Sequence, residues 1–349
     1  MSGRIAYTDL LLEMLSIPAL SREEKNRADF LESYLKGMGW PLTRVHNNLL
    51  VGDRDAPGAQ VLLNSHMDTV PPADAWESDP YTPLVKGEKI VGLGSNDAGA
   101  SVVSMLAAFD HMREELKGRI NLMVLISAEE EVSGSKGISS MLPMLGNLEA
   151  VIVGEPTGMA PAVAERGLMV IDGQVRGKAG HAARKEGLNA IYEAMKDLKA
   201  IEQLEFTELS EWLPAPGAQV TMISAGSHHN VVPDLCRYVV DVRSNDRYGN
   251  ERLLEMIRSV CSAELTPRST RLLSSGLDDD DFLMKAIRAA GLEPFGSSTL
   301  SDMALIPFPA VKMGPGESSR SHTAGEYILK SELEQGVADY CRFLKHIEI

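Results

Sequence analysis

The sequence predicts an α/β fold with a mixed, mostly parallel sheet, interrupted by an inserted α+β domain. Over residues 1–167 and again over 277–349, apolar strand-like runs alternate with helical segments, which is typical of a sheet covered by helices on both faces. Between them, residues 168–276 follow a β-α-β-β-α-β order, which is typical of a ferredoxin-like antiparallel sheet with its helices on one face.

The outer elements follow from hydrophobic periodicity. Apolar residues recur at helical spacing in Tyr7–Leu15 and Glu23–Met38, and Ser21 with Glu24 predicts a capping box before the second helix. Strands are predicted at Val61–Asn64, Ile120–Ser127 and Val151–Val153. Further helices are predicted at Ala100–Met112, Asp281–Ala290 and Leu333–Ile347.

The inserted segment begins where LMVIDGQVRG alternates like a half-exposed strand from residue 168. In order, we expect a helix at Asn189–Leu204, strands at Gln219–Ile223 and Arg237–Val242, a helix at Glu251–Ala263 and a strand at Thr270–Leu273. The domain limits that follow are 1–167 with 277–349, and 168–276.

Composition narrows the class of protein. The 349 residues include 34 basic and 49 acidic side chains, a net charge of −15, which disfavours nucleic acid and anionic membrane surfaces as partners. The start of the chain lacks a signal pattern and no apolar run reaches about 18 residues, so we expect a cytoplasmic protein. Three widely spaced cysteines, Cys236, Cys261 and Cys341, are expected to be free thiols.

Five short segments carry metal-binding side chains beside glycines or strand ends. They are NSHMD at 64–68, GSNDAG at 94–99, SAEEE at 127–131, VGEPT at 153–157 and RSHT at 320–323. Imidazole and carboxylate ligands suit zinc, and one carboxylate can bridge two metals about 3.5–4 Å apart. Three of the segments follow apolar runs, at the edge where open α/β sheets bind their ligands.

The first two segments predict a histidine ligand and a bridging carboxylate. His66 and Asp68 are two residues apart just past a strand, so Asp68 is placed to hold the imidazole. Gly92 and Gly94 have the spacing of a dinucleotide-binding loop, but its third glycine would fall at Asp97. Asp97, before a turn at Gly99, instead predicts a bridging carboxylate.

The other three segments are weaker when taken singly. Glu129, Glu130 and Glu131 repel one another unless a cation or protons offset their charge, although acidic runs are usually solvated loops. Glu155 at a strand end and His322 after a glycine-rich turn could each be structural. The occurrence of all five segments in one chain is what favours a two-metal site.

On these motifs the chain resembles the co-catalytic di-zinc aminoacylase and carboxypeptidase family, which includes acetylornithine deacetylase and succinyl-diaminopimelate desuccinylase. The resemblance covers essentially the full chain and implies a zinc-peptidase-like catalytic domain with an inserted lid and dimerisation domain. It is strongest to the N-acyl-amino-acid deacylases of arginine biosynthesis. One departure is the turn Gly92-Leu93-Gly94, where the family usually has an arginine.

The resemblance implies roles for the motif residues. His66, Asp97 and Glu155 resemble the ligands of one zinc ion, and Asp97, Glu130 and His322 those of the other, with Asp97 bridging and cobalt as a substitute metal. Asp68 resembles the residue that clamps the first histidine, and Glu129 resembles the general base. The family also implies a cis peptide after Asp97.

The inserted segment carries further matches. In GKAGHAA, His181 resembles the residue that reaches across a homodimer, through this domain, to polarise the scissile carbonyl of the partner. Asn230 in NVVPD and Arg243 in DVRSN resemble substrate-binding residues, and Arg243 or Arg320 offers bidentate recognition of a carboxylate. A surface ion pair for Arg243 and a helix-capping role for His181 are the structural alternatives.

Three functions remain open from the sequence. The first is hydrolysis of a small N-acyl amino acid, with N-acetylornithine as the leading substrate and an acetyl or succinyl acyl group. The second is a zinc dipeptidase or carboxypeptidase that uses the same site. The third is a non-catalytic ligand-binding protein, which the presence of a general base disfavours.

Overall fold

The computed structural model describes residues 6–184 and 186–349. Within them the α-helices are α1 (Tyr7–Leu15), α2 (Lys25–Gly37), α3 (Ala100–Met112), α4 (Leu142–Leu145), α5 (Ala190–Glu202), α6 (Asn250–Val260), α7 (Phe282–Ala289) and α8 (Lys330–Lys345). The strands are β1 (Leu42–Val45), β2 (Asn48–Val51), β3 (Ala59–His66), β4 (Leu84–Lys86), β5 (Lys89–Val91), β6 (Ile120–Ser127), β7 (Ala150–Val153), β8 (Ala162–Glu165), β9 (Leu168–Arg176), β10 (Gly180–His181), β11 (Gly217–Ala225), β12 (Val231–Val232), β13 (Leu235–Arg243), β14 (Glu264–Pro267), β15 (Ser275–Gly276), β16 (Phe295–Ser297), β17 (Ala310–Lys312) and β18 (Tyr327–Leu329).

Contacts within the chain divide it into two units. The first unit extends to Val163 and resumes at Leu277–Phe295 and Ser301–Ile349. The second comprises Ala164–Gly276 and Gly296–Leu300.

The first unit is built on a mixed sheet in the order β1-β2-β6-β3-β7-β17. The four strands β6, β3, β7 and β17 run parallel, and β1 and β2 add an antiparallel hairpin. Every residue of β6 is buried, as expected for a parallel strand covered on both faces. The predicted α/β fold with a mostly parallel sheet is confirmed.

Helices cover both faces of this sheet. On one face α3 packs against β3, β6, α1 and α8, which explains why almost all of its residues are buried. On the other face Ile138, Met141, Leu145 and Met303 pack on alternate residues of the strands, among them Leu125. This packing fixes the carboxyl ends of β3, β6 and β7 at one edge of the sheet.

The second unit has the predicted β-α-β-β-α-β order, formed by β9, α5, β11, β13, α6 and β14. Its antiparallel sheet has the order β11-β13-β9-β14. Helices α5 and α6 cover one face, where alternate strand residues such as Ile171, Tyr238 and Val240 form the core with Leu253 and Ile257. The short strands β10 and β12 form a separate ladder with His181 opposite Val231.

Two local predictions were wrong. The last strand of the antiparallel sheet is β14 rather than Thr270–Leu273, where only Leu272 forms an isolated bridge to Leu168. Strand β14 lies at an edge and buries only Leu265, so its apolar pattern is weak. Ser21 does not cap α2, because its hydroxyl donates instead to the Asp68 carboxylate, 2.7 Å away.

The helices of the described residues are not of the kind that crosses a bilayer. None of them has both the length and the apolar character that a membrane span needs.

Candidate metal centre

His66 ends strand β3 and is buried at the carboxyl edge of the sheet. Its Nδ1 lies 3.0 Å from the carbonyl oxygen of Asp68, so Nδ1 carries the proton and donates. In the neutral imidazole that tautomer leaves the Nε2 lone pair to bind a metal, 3.1 Å from Asp97 Oδ1 and 3.6 Å from Glu155 Oε1. An imidazole lone pair between two carboxylates is an arrangement that a cation would stabilise.

Asp97 lies between the two predicted histidine ligands. Its Oδ1 faces His66, and its Oδ2 lies 3.6 Å from His322 Nε2. The peptide bond from Asp97 to Ala98 is cis, as the resemblance implies. One carboxylate oxygen directed at each imidazole is the geometry expected of a bridging ligand.

A buried carboxylate holds the turn that carries Asp97. Glu326 accepts hydrogen bonds from the backbone N–H groups of Gly94, Asn96 and Asp97, at 3.1, 2.8 and 2.9 Å. Burial raises the pKa of Glu326 to about 7, although these donors favour its charged form. Glu326 therefore positions Asp97 through the main chain.

The three consecutive glutamates point in different directions. Glu131 lies 3.2 Å from His322 Nε2, and its carboxylate groups with His66 and Asp97. Glu130 groups instead with His66 and Glu155, with the ligand atoms of each group within 4.8 Å of one another. Glu129 accepts a hydrogen bond from the backbone N–H of Lys136 at 3.2 Å and belongs to neither group.

Asp68 holds this run in place. Its Oδ1 accepts from the N–H of Glu130 at 3.1 Å, and its Oδ2 accepts from the N–H of Glu131 at 3.2 Å and from the Ser21 hydroxyl. Asp68 Oδ1 also lies 3.5 Å from His66 Nδ1. Burial raises the pKa of Asp68, but His66 and these donors outweigh it, so Asp68 stays ionised.

The charges of the cluster favour a bound cation. Burial and neighbouring carboxylates raise the pKa values of Glu130 and Glu155 well above the usual range. Burial lowers the pKa of His66, but its carboxylate neighbours raise it well above the usual value. Divalent cations can replace the protons that such a cluster otherwise holds. A donor set of two imidazoles and several carboxylates fits two zinc-like ions.

Two buried charged residues support the strand ends without entering the cluster. Asp302 accepts from Asn64 Nδ2 at 2.9 Å and from the Ser127 hydroxyl at 2.8 Å, and so ties β3 to β6 just before the site. Arg27 donates to the carbonyl oxygen of Met67 at 2.7 Å. Burial lowers the Arg27 pKa to about 10 and raises that of Asp302 to about 6.

Arg320 is not directed at the cluster. Its guanidinium makes two hydrogen bonds to Glu332, at 2.7 and 2.9 Å, and lies over the ring of Tyr327 with 4.5 Å to the centroid. These contacts attach the turn that carries His322 to the start of α8. Arg320 is therefore engaged in structural contacts rather than being free to bind a substrate carboxylate.

The other predicted substrate residues lie in the second unit. The Asn230 carbonyl accepts a hydrogen bond from the N–H of Ala182 at 3.1 Å, which places Asn230 beside His181. Both residues are exposed. Arg243 forms two hydrogen bonds with Asp241 on its own strand, at 2.7 and 3.1 Å, and is partly exposed.

Sequence reasoning did not identify Glu131, Ser21 and Glu326 as parts of the site. Glu131 belongs to the run of three glutamates that the sequence analysis considered. It was not assigned a role because any of the three could be the ligand or the base, and no sequence pattern distinguishes them. Glu326 follows His322 by four residues, a spacing that predicts nothing outside a helix.

Comparison with known proteins identifies related sequences. The model of Peptidase family M20/M25/M40 matches residues 62–346. An acetylornithine deacetylase of Myxococcus xanthus is 31% identical, over 82% of this chain and 80% of the relative. A succinyl-diaminopimelate desuccinylase of Cereibacter sphaeroides is 25% identical, over 96% and 97% of the two chains.

Solved structures share the fold. Aminopeptidase PepT from Bacillus cereus has a TM-score of 0.77 at 20% identity, covering 99% of this chain and 100% of that chain. A dinuclear metal-binding M20 peptidase from Bacillus subtilis has a TM-score of 0.72 at 17% identity, covering 98% and 97%.

Proposed function

This chain belongs to peptidase family M20/M25/M40 and is a metal-dependent hydrolase that acts on amides, and we propose that it removes the acyl group from an N-acylated amino acid. The observation that carries the proposal is the 31% identity to an acetylornithine deacetylase over 82% of the chain. N-acetylornithine is the leading substrate, which would place the reaction in arginine biosynthesis.

Succinyl-diaminopimelate is the second candidate substrate. Desuccinylases are numerous among the curated relatives, and one of them is 33% identical over 58% of this chain. Both candidates are N-acyl amino acids with a free carboxylate. We propose that Arg243 and Asn230 bind that carboxylate, Arg243 through the edge of its guanidinium that is not paired with Asp241.

We propose that His66, Asp97 and Glu155 hold one metal ion and that Asp97, Glu131 and His322 hold the other. The distance of 3.2 Å between His322 Nε2 and Glu131 supports Glu131 as a ligand in place of Glu130. Zinc is the proposed resident ion, with cobalt as a substitute, because imidazole and carboxylate suit both.

The same geometry supports Glu130 as the general base in place of Glu129. The Glu130 carboxylate lies among the proposed ligands, whereas Glu129 belongs to neither group. When bound, two divalent ions acidify a water molecule and polarise a carbonyl group. Glu130 takes a proton from the attacking water, whose oxygen bonds to the acyl carbon. The C–N bond then breaks, and Glu130 delivers that proton to the leaving nitrogen.

A substrate panel tests the proposed reaction. We expect N-acetylornithine or succinyl-diaminopimelate to be hydrolysed with a higher kcat/KM than the dipeptides alanyl-alanine and glycyl-leucine. A zinc chelator should abolish turnover, and added zinc or cobalt should restore it. The release of free amine measures the rate for every substrate and for every metal condition. Dipeptides hydrolysed faster than every acylated amino acid would replace the deacylase proposal with a peptidase.

We further propose a homodimer formed through the second unit. Strand β11 lies at the edge of its sheet and pairs with β13 alone among the described strands, so its outer backbone groups are open to another strand. Met222 and Ile223 on β11 and Tyr192 and Met195 on α5 are exposed apolar side chains on this side of the unit. A second copy could bury them with closed two-fold symmetry.

Replacing Met222 by Lys is expected to dissociate this dimer, because it would bury an unpaired charge in the interface. The molecular mass measured by light scattering should fall from that of a dimer to that of a monomer. The matched control is Val85→Lys in the first unit, since Val85 is also exposed, at 48% against 64% for Met222. A monomeric parent protein, or a dimer that both variants retain, would contradict this interface.

A further inference from the structure

A cavity of about 560 Å³ in the first unit contains none of the proposed metal ligands in its lining. Its walls come from the start of α2, the turn between β1 and β2, and the loop after β6. The charged and ionisable lining residues are Arg22, Lys25, Arg44, His46, Glu129 and Lys136. We propose that this cavity binds a small oxyanion with two negative charges, of the phosphate or dicarboxylate class.

The cations that line the cavity are of two kinds. Lys25 already pairs with Asp29 of α2 at 2.6 Å. Arg44 pairs with Asp29 and Glu32 of the same helix, each at 2.7 Å. The side chains of Arg22, His46 and Lys136 are exposed and have no hydrogen-bond or ion-pair partner among residues 6–184 and 186–349. These three side chains are available to a ligand.

The acidic residue among the described lining residues does not oppose an anion directly. Glu129 is 8% exposed and accepts a hydrogen bond from the backbone N–H of Lys136. Its carboxylate lies over Gly134, where an added Cβ would collide with it. The Glu129 charge is therefore turned into its own loop, which leaves the cationic side chains facing the cavity.

A buried carboxylate joins the three walls. Glu24 is fully buried, and its Oε1 accepts from the N–H of Arg22 at 2.6 Å and from the N–H of Glu129 at 3.1 Å. Its Oε2 accepts from Asn47 Nδ2 at 3.0 Å. One side chain thus fixes the positions of segments that are far apart in sequence, and the cavity is a built feature rather than a gap between mobile loops.

The backbone around the cavity is strained. Arg22, His46 and Glu129 have φ values of 76°, 56° and 55°, a region that disfavours residues with a Cβ. They are three of the six non-glycine residues with positive φ in the described chain, and all three line this cavity. Such conformations concentrate at functional sites, where the surroundings hold them.

The chemistry of the free side chains selects the ligand class. A guanidinium presents a planar pair of donors to carboxylate or phosphate oxygens, and an ammonium adds a point charge. The whole chain carries a net charge of −15, so it repels anions in general. This cavity differs from the acidic chain as a whole, because it is lined by three cationic or ionisable side chains that have no partner in the described part of the chain. The local charge therefore favours an anionic ligand.

Calorimetric titration of the 349-residue chain with inorganic phosphate, and separately with succinate, tests the proposal. At low ionic strength we expect saturable binding of at least one of them, at one site per chain. The double variant Arg22→Gln with Lys136→Gln should weaken binding at least tenfold. The charge-preserving pair Arg22→Lys with Lys136→Arg should bind within about threefold of the parent, and thermal melts establish that both variants are folded.

Two controls test whether anion binding depends on this cavity and not on the general surface charge or the metal centre. Lys117→Gln removes one charge from an exposed side chain outside the cavity and should leave the affinity unchanged. Repeating the titrations after chelator treatment should leave binding in place. The proposal is overturned if neither anion saturates, if Lys117→Gln weakens binding as much as the double variant, or if the double variant binds as tightly as the parent. Binding that disappears with the metal would place the anion at the metal centre and also overturn the proposal.

Discussion

Replacement of Glu130 by Gln is expected to lower kcat by about 10²–10⁴, the range for loss of a general acid–base group. The amide is nearly isosteric and can still accept and donate hydrogen bonds, but it takes no proton from water. Metal content should stay at two ions per chain, because the proposed ligands are Glu131 and its partners. Rate assays with metal analysis on the same sample measure both quantities.

The matched control is Glu129→Gln, one residue away. Its carboxylate lies outside both carboxylate–imidazole groups, so we expect kcat to fall less than about tenfold. The opposite result, an inactive Glu129→Gln and an active Glu130→Gln, would restore the assignment made from the sequence. A Glu130→Gln protein that loses one metal ion would instead make Glu130 a ligand.

His181→Ala is expected to lower kcat by about 10²–10³, the range for loss of one donor to a developing oxyanion, with unchanged metal content. His181 lies in the second unit, where the N–H of Ala183 donates to its Nδ1 at 3.2 Å, so Nε2 is the protonated nitrogen that can donate. A local structural role would reduce stability rather than kcat. Thermal melts alongside steady-state kinetics separate the two effects.

Mixing the His181→Ala and Glu130→Gln proteins tests whether His181 acts on the partner subunit. If it does, each mixed dimer contains one site with both native residues. An equal mixture that exchanges freely should then recover roughly a quarter of the parent activity, since half of the dimers are mixed. Subunit exchange shown by tagged copies, with no recovered activity, would assign His181 to its own subunit.

The sequence by itself determined the architecture of both units. Alternation of buried runs and amphipathic segments predicted α3 and β6 with the same bounds that the structure has. The physical reason is that burial patterns in regular elements repeat with a fixed period, so a long apolar strand or helix can be read locally. The edge strand β14 was not predicted, because a strand with one buried residue has almost no pattern of alternating apolar residues.

The sequence also determined which strand ends supply the site. His66 ends one of three neighbouring parallel strands, Glu129–Glu131 and Glu155 lie just after the other two, and the carboxyl ends of such strands meet at one edge. The approach of His322 from a distant turn was implied by the family resemblance, since no periodic pattern links that turn to the sheet.

Only the tertiary structure decided which glutamate faces which partner. Glu129 has a left-handed backbone, and Glu130–Val132 then form a single turn of 3₁₀ helix. The alternation of β6 therefore stops at this run, and the side-chain directions cannot be extrapolated from the strand. The directions are instead set by carboxylates from other segments, Glu24 for the N–H of Glu129 and Asp68 for the next two amides. The same holds for Ser21 and Arg320, whose partners Asp68 and Glu332 are distant or non-periodic contacts that exist only after the chain has folded.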